Sequence, residues 1–381
     1  MEAEFVAERR VTREICAPPC PSGLTGHAAC WHSDGFFYVV GGWNPGRGNA
    51  ENQRYVRQVW RWNPFRRRWR ELRSELSPVA LASHAVVAWE GGLCVFGGSM
   101  SPLHFLGNSS DLFQYHLAEE RWQEPWPTDG PAPKQFCGHW FGRAAVRYGA
   151  TLYVASGVLG EGLQLHALDL QGKRWRQLDP ENASPPCRVR HSLICLDGQR
   201  LLVVGGAQEF CYSPFPLDRL PLFCVARARW RDVDTRPDPL AGHPVPRSCG
   251  LAVRHRDFVW LLGGRGESDV LADLWRLDVG SAGAFAWHRL KISGSLAPLW
   301  FHAGDANEHT LLVWGGCDSQ DYSGDDARPP QLLSVTLEPP SLLETSLGTL
   351  LQSFGPLLAK CSIHDLVGLG IPHHLIKFVN C

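Results

Sequence analysis

Hydrophobic and polar positions along this chain fall into short apolar runs separated by polar turns. Six of the runs close on a pair of small residues. These are Val39-Val40-Gly41-Gly42, Val95-Phe96-Gly97-Gly98, Val154-Ala155-Ser156-Gly157, Val203-Val204-Gly205-Gly206, Leu261-Leu262-Gly263-Gly264 and Val313-Trp314-Gly315-Gly316. The pairs recur roughly every 50–60 residues, a period that belongs to arrays of four-stranded blades. The fifth repeat shows the order within one unit. Gly250-Leu251-Ala252-Val253 leads to a turn at His255-Arg256-Asp257, then to Phe258-Val259-Trp260-Leu261-Leu262 and the glycine pair. Leu274-Trp275-Arg276-Leu277 and Trp287-His288-Arg289-Leu290 follow after polar loops. Each run is rich in β-branched, aromatic or Leu residues and bounded by turn formers, which predicts four short strands. The glycine pair is expected where the chain turns beside a crowded propeller axis, since a residue without a side chain fits there.

The pattern therefore predicts an all-β protein, a six-bladed propeller over residues 1–338. A strand drawn from Phe5–Ile15 is expected to complete the last blade and leave no open sheet edge. Third and fourth strands are marked by Val59-Trp60-Arg61-Trp62 with Trp69, by Leu112-Phe113-Gln114-Tyr115 with Trp122, and by Leu165-His166-Ala167-Leu168 with Trp175. These account for many of the 16 tryptophans, each expected to fill the gap between two blades.

Past Glu338 the period changes. Ser341 and Glu344 form a capping-box pattern, and Leu342, Leu343, Leu347, Leu350, Leu351 and Phe354 recur at helical steps. Gly355-Pro356 is expected to weaken or end this helix. A second start is read at Ser362 with Asp365, and a third short helix at Pro372. The tail, 339–381, is thus predicted to be helical.

Composition narrows the function classes. A net charge of −1 gives no basic field for nucleic acid or an acidic membrane, and no run of about 18 apolar residues is present to span one. The charged N-terminus lacks a signal-peptide core, and the 13 cysteines are an odd number scattered through strands. Both fit a reducing compartment, so a cytoplasmic or nuclear location is expected. The run Arg66-Arg67-Arg68 reads as a solvated turn. Cys16, Cys20, Cys30 and His32 lack the paired spacing of a zinc site, and the acidic loop Asp318–Asp326 lacks the EF-hand register. Gly263-Gly264-Arg265-Gly266 is followed by no helix and is not a phosphate loop. No catalytic signature, metal or cofactor is read from the sequence, and the chain is expected not to be an enzyme.

The repeats match the kelch pattern, and the tail carries two further likenesses. Ser341, Leu342, Ser346 and Leu350 resemble the elongin-binding BC box: a small residue, Leu, three residues, usually Cys, three residues, then an aliphatic. Ser346 keeps the small volume of the usual Cys without its apolar character. Ile371-Pro372-His373-His374-Leu375 resembles a cullin-2 box. Six kelch repeats followed by these boxes are similar to the kelch domain-containing substrate receptors of cullin-2 ubiquitin ligases. The resemblance implies elongin B/C and cullin-2 with its RING subunit as partners. Leu342 and Leu350 would dock on elongin by helix-in-groove contact, and Ile371, Pro372 and Leu375 would touch the cullin. It also implies that the propeller binds protein substrates through C-termini ending in Gly or Ala. A free carboxylate needs fixed cationic donors, and the planar fork of Arg suits it. Arg265, directly after the fifth glycine pair, sits where related receptors carry a carboxylate-binding Arg. Arg247 and Ser248, Arg188 and Arg190, Trp300, Phe301 and His302, and His139 and Trp140 occupy matching places ahead of blades five, four, six and three. His27, His84 and His191 are expected to bond blade to blade. Two other classes fit a kelch propeller: a scaffold or enzyme inhibitor acting without a ligase, and a copper-type kelch enzyme.

Overall fold

The computed structural model describes residues 9–46, 51–73, 77, 82–98, 111–123, 128–131, 144–158, 161–208, 213–280, 285–294, 296–319 and 328–379. His139, Trp140 and most of the acidic loop Asp318–Asp326 lie outside them. The strands form six antiparallel blades. Blade one is Ala28–Trp31, Phe37–Val40, Val59–Asn63 and Arg68–Leu72, and blade two is Ala85–Trp89, Gly92–Phe96, Leu112–His116 and Arg121–Gln123. Blade three is Ala144–Tyr148, Thr151–Val158, Gly162–Asp169 and Arg174–Gln177. Blade four is Val189–Cys195, Arg200–Ala207, Arg219–Cys224 and Arg229–Arg236, and blade five is Leu251–His255, Phe258–Leu262, Leu274–Asp278 and Phe285–Arg289. Blade six takes Ala303–Ala306, Thr310–Trp314 and Gln331–Thr336 from its own repeat and its outer strand, Arg9–Ile15, from the N-terminus. Val11 lies opposite Val335 and Ile15 opposite Gln331, so the two ends of the propeller close on each other within one sheet.

The first strand of every blade faces a central channel of about 590 Å³. Asp305 lies in its wall and accepts the Trp31 N–H at 2.9 Å. Burial raises its carboxyl to a pKa of about 6. Apolar clusters fill the joints between blades. Trp69 packs at 4.7 Å on Trp314 of blade six, and Trp175 at 5.1 Å on Phe96 of blade two. Trp230 shares a cluster with Tyr153 of blade three, and Trp287 one with Leu202 of blade four. These indoles connect one repeat to the next, and blades four and five are joined as well by a short parallel pairing of their outer strands, with Thr235 opposite Phe285.

The small-residue pair ends the second strand, one strand out from the axis, which corrects the expectation that axial crowding selects it. In blade four Gly205 and Gly206 have φ of 68° and 91°, and Gly206 donates its N–H to the Arg247 carbonyl of blade five at 2.9 Å. A Cβ on Gly205 would stand 2.8 Å from that same carbonyl, and one on Gly206 2.8 Å from the His191 Cβ. The pair is a joint between blades, and its positive φ values and close contacts require glycine. In blade three, Ser156-Gly157 continues the strand into a tight hairpin in which Val158 pairs with Gly162.

The tail packs on the propeller. Helix α1 (Leu342–Leu358) starts at a capping box: the Glu344 N–H donates to Ser341 Oγ, and the Ser341 N–H to the Glu344 carboxylate. Helix α2 (Ile363–Gly368) starts the same way at Ser362 and Asp365, and a 3-10 turn covers His373–Phe378. Gly355-Pro356 does not end α1. The helix runs on to Leu358, whose burial holds the last turn, while Arg66 donates to the Gly355 carbonyl at 2.8 Å. Leu347, Leu351, Leu358, Leu366, Ile371, Leu375, Ile376, Phe378 and Val379 join one cluster with Tyr38, Val59, Leu93 and Tyr115 of blades one and two. Each such side chain contributes about 1.5–3 kcal/mol when fully buried, before ordering costs. Phe378 sits between Phe36 and Phe65 at 4.8 and 4.6 Å, and Asn63 donates to its carbonyl at 3.1 Å. The Arg66-Arg67-Arg68 turn is accordingly not simply solvated. Arg66 holds the tail, and Arg67 pairs with Glu14 of the closing strand at 2.6 Å.

Candidate functional site

Two faces remain after the fold is accounted for. They lie at opposite ends of the propeller, because the inner strands run from one to the other.

The first is the mouth of the channel where the inner strands begin. At five of the six inner strands the residue just before or at the start has left-handed backbone: Gly26, Ser83, Arg190, Cys249 and Phe301, with φ between 54° and 62°; the matching position of blade three lies outside the described residues. Blades two, five and six each bond here to the blade before. Ser83 N–H meets the Gly26 carbonyl at 2.6 Å, Cys249 that of Arg190 at 3.0 Å and Phe301 that of Cys249 at 3.1 Å. Positive φ is costly for a bulky side chain such as Phe301 or Arg190, and such strain concentrates at functional positions. These five residues, with His27, His84, His191, Gly250 and His302, line a cavity of about 140 Å³.

At one edge of the mouth four side chains form a stack. Arg190 lies 4.8 Å from the Phe301 ring, Phe301 4.5 Å from Trp300, and Arg265 4.9 Å from Trp300. Trp300 is fixed by its indole N–H donating to the Ser319 carbonyl at 2.8 Å. Cation–π contact of this kind holds a guanidinium in place without neutralising it. Arg265 forms no ion pair among the described residues. Burial raises the pKa of the Cys249 thiol while the charges of Arg190 and Arg265 pull it down, so both cations act on one point of the mouth. Ser248 is buried and exchanges two backbone hydrogen bonds with Arg265, at 2.9 and 2.8 Å, which sets the place of that loop.

The remaining candidates are placed elsewhere. Arg247 is 1% exposed and faces inward. It donates to both oxygens of Asp273 at 2.5 and 2.9 Å and to the Gly263 carbonyl at 3.0 Å, so it is a brace of blade five and not a ligand group. Arg188 is also buried and opens to a separate pocket on blade four. His302 lines the floor of the mouth, but its ring packs into the joint behind Gly263. Burial holds His302 and His191 at pKa values of about 3 and His27 at about 4, so all three are neutral. His27 Nε2 bonds to the Trp314 carbonyl of blade six at 2.9 Å.

The second face is the tail. Leu347, Leu351 and Leu358 turn α1 toward the blades, while Leu342, Leu343, Leu350, Phe354 and Leu357 stand on its open side, with Leu342 87% exposed. Ser341 and Ser346 are exposed on the same stretch. On α2, Ile363 and Val367 are exposed too. Ile371 and Leu375 are not. Both are buried in the cluster with blades one and two, with Pro372 half-buried beside them, so the expectation that they touch a partner is corrected: they anchor the tail. Arg190, Arg265 and the exposed leucines were visible in the sequence. The ring of left-handed residues was not, because Gly, Ser, Arg, Cys and Phe share no pattern a repeat search would find.

The kelch-repeat model described as the KLHDC2/KLHL20/DRC7 kelch-repeats domain matches residues 5–206 and 142–328. The chain is 30% identical over 371 residues to kelch domain-containing protein 10 of Xenopus tropicalis, covering 94% of this chain and 85% of that protein. Against the human protein of that name it is 29% identical over 369 residues, covering 94% and 79%. The Drosophila melanogaster homolog is 27% identical over 333 residues, covering 78% and 52%.

Proposed function

We propose, from the premise that the chain belongs to the KLHDC2/KLHL20/DRC7 kelch-repeat family, that it is the substrate-binding subunit of a cullin-2–elongin B/C ubiquitin ligase. Kelch propellers act by protein–protein interaction, and this chain has two faces suited to it. The observation that carries the reading is the double character of α1. One apolar side is packed on the propeller and the other, led by Leu342 and Leu350, is open to solvent. An exposed apolar helix face next to a packed one fits an apolar groove on a partner. Elongin C supplies that groove in this reading. The cullin contact then falls to exposed positions of α2, since Ile371 and Leu375 are buried.

At the opposite mouth, Arg190 lines a 140 Å³ cavity, and Arg265 packs on Trp300, next to the lining residue Phe301. Two guanidiniums beside a small cavity suit a free carboxylate followed by residues of Gly or Ala size. The propeller would hold a client by its C-terminus while the tail joins the ligase, raising the effective concentration of client lysines near the charged enzyme. The chain itself catalyses nothing in this scheme.

The test uses fluorescent peptides ending in Gly or Ala and the full chain. Wild type binds the free-acid peptide, and amidating its C-terminus or making Arg265→Ala weakens binding at least tenfold. Equal affinity for acid and amide forms removes the carboxylate reading. A wild-type chain that brings down neither elongin B/C nor cullin-2 from cells leaves the scaffold class standing instead.

A further inference from the structure

Blades four and five share a plan, and one departure from it leaves a buried cation half-satisfied. Arg188 and Arg247 each stand two residues ahead of a left-handed position, Arg190 and Cys249. Each sends Nη1 to the carbonyl of the first glycine in its own blade's pair: Arg247 to Gly263 at 3.0 Å, Arg188 to Gly205 at 3.3 Å. In blade five the Asp273 carboxylate, just before the third strand, completes the guanidinium. In blade four that stretch reads Leu217-Asp218-Arg219. Arg219 turns outward to Asp234 at 2.8 Å, and Asp218 forms no ion pair with Arg188.

Arg188 is 5% exposed, and its Nε is buried without a partner. The guanidinium lies 4.0 Å from the Phe215 ring and lines a pocket of about 530 Å³. Its walls combine apolar residues, among them Pro185, Pro186, Phe215 and Trp230, with the charged Asp218, Arg219, Arg231 and Asp232, three guanidiniums against two carboxylates once Arg188 is included. Burial lowers the Arg188 pKa to about 10, against the through-space attraction of Asp232 on the pocket wall. None of these residues belongs to the mouth cavity. A buried guanidinium with an idle donor is costly unless something pairs with it.

We infer that this pocket binds a carboxylate carried on an apolar or proline-rich body, whose oxygens take the place that Asp273 holds against Arg247 in blade five. The carboxylate can be an Asp or Glu side chain of a peptide or a small organic acid.

The experiment titrates the full chain by calorimetry with two probes, the blocked peptide acetyl-Pro-Glu-Trp-amide and benzoate. Their neutral counterparts, the Gln peptide and benzamide, serve as controls. We expect a dissociation constant of about 1 mM or tighter for at least one acid. Binding of the peptide alone identifies a protein partner's acidic side chain, and binding of benzoate as well identifies a general small-acid site. Arg188→Met should abolish binding at least tenfold without lowering the melting temperature, since it removes an unpaired buried charge. Asp232→Asn should tighten binding about threefold, because the carboxylate it removes repels the ligand's. The inference is overturned if neither acid binds more tightly than its neutral control, or if Arg188→Met leaves affinity unchanged. C-terminal peptides read at the mouth are unaffected by either substitution, so this result and the Arg265 result fail independently.

Discussion

Arg247→Ala should be among the most damaging single changes in the propeller. The guanidinium is 1% exposed and makes three kinds of contact: two bonds to Asp273, one to the Gly263 carbonyl and one from Nε to the Val245 carbonyl at 2.9 Å. Truncation leaves Asp273, itself largely buried, with only the Trp275 indole N–H at 2.7 Å. Removing one partner of a buried ion pair costs about 3–5 kcal/mol, because the other charge stays buried and unpaired. The Arg247 charge holds the Asp273 carboxyl below the usual carboxylate range. That contribution is present above the ordinary Asp pKa and fades as pH falls. The assay is urea unfolding followed by tryptophan fluorescence, with Arg265→Ala as comparison. Arg265 lies on the half-exposed rim, so its loss should change stability by less than about 1 kcal/mol. Equal destabilisation by the two variants would refute the division between brace and ligand group. So would an Arg247→Ala chain as stable as wild type.

Three further outcomes follow from the same geometry. Leu347→Ala, on the packed side of α1, should cost about 2–5 kcal/mol in the same urea assay, and Leu342→Ala less than about 0.5 kcal/mol. Similar losses would mean that α1 does not have one packed and one open side. His27, His191 and His302 are neutral in the fold, with pKa values lowered from the ordinary 6.5 to about 4, 3 and 3. The unfolded chain binds protons there first, so stability is full above pH 6.5 and declines as pH falls toward 4; a thermal midpoint flat across that window contradicts this. Asp305 has the opposite sign, its pKa being raised from 3.8 to about 6. Its contribution is present below the ordinary Asp pKa and lost as pH rises through about 6, so Asp305→Asn should raise the melting temperature at pH 7.5 and not at pH 4.

Much of the fold was legible because its constraints are local. A strand that must end in two residues of positive φ leaves glycine pairs at a fixed period, and a helix that must satisfy its first N–H groups leaves Ser341 with Glu344 and Ser362 with Asp365. The site was legible only in part, because its assignment depends on residues far apart in sequence. Arg247 and Arg265 look equivalent as exposed-loop arginines until Asp273 is seen to occupy the first. Ile371 and Leu375 fit a docking motif, yet blades one and two, more than 240 residues earlier, bury them. Gly355-Pro356 reads as a helix stop, but Arg66 and the burial of Leu358 carry the helix past it. In each case a long-range contact overrides a sound local rule.

The proposed ligase role depends on the open side of α1 being a docking surface. Calorimetric titration of purified elongin B/C into the full chain tests it, with wild type, Leu342→Asp and the melting temperature of each. The prediction is saturable binding by wild type and at least a thirtyfold loss in Leu342→Asp, as for a central anchor residue, with the melting temperature unchanged. Wild type that does not bind, or Leu342→Asp that binds as wild type does, would contradict it.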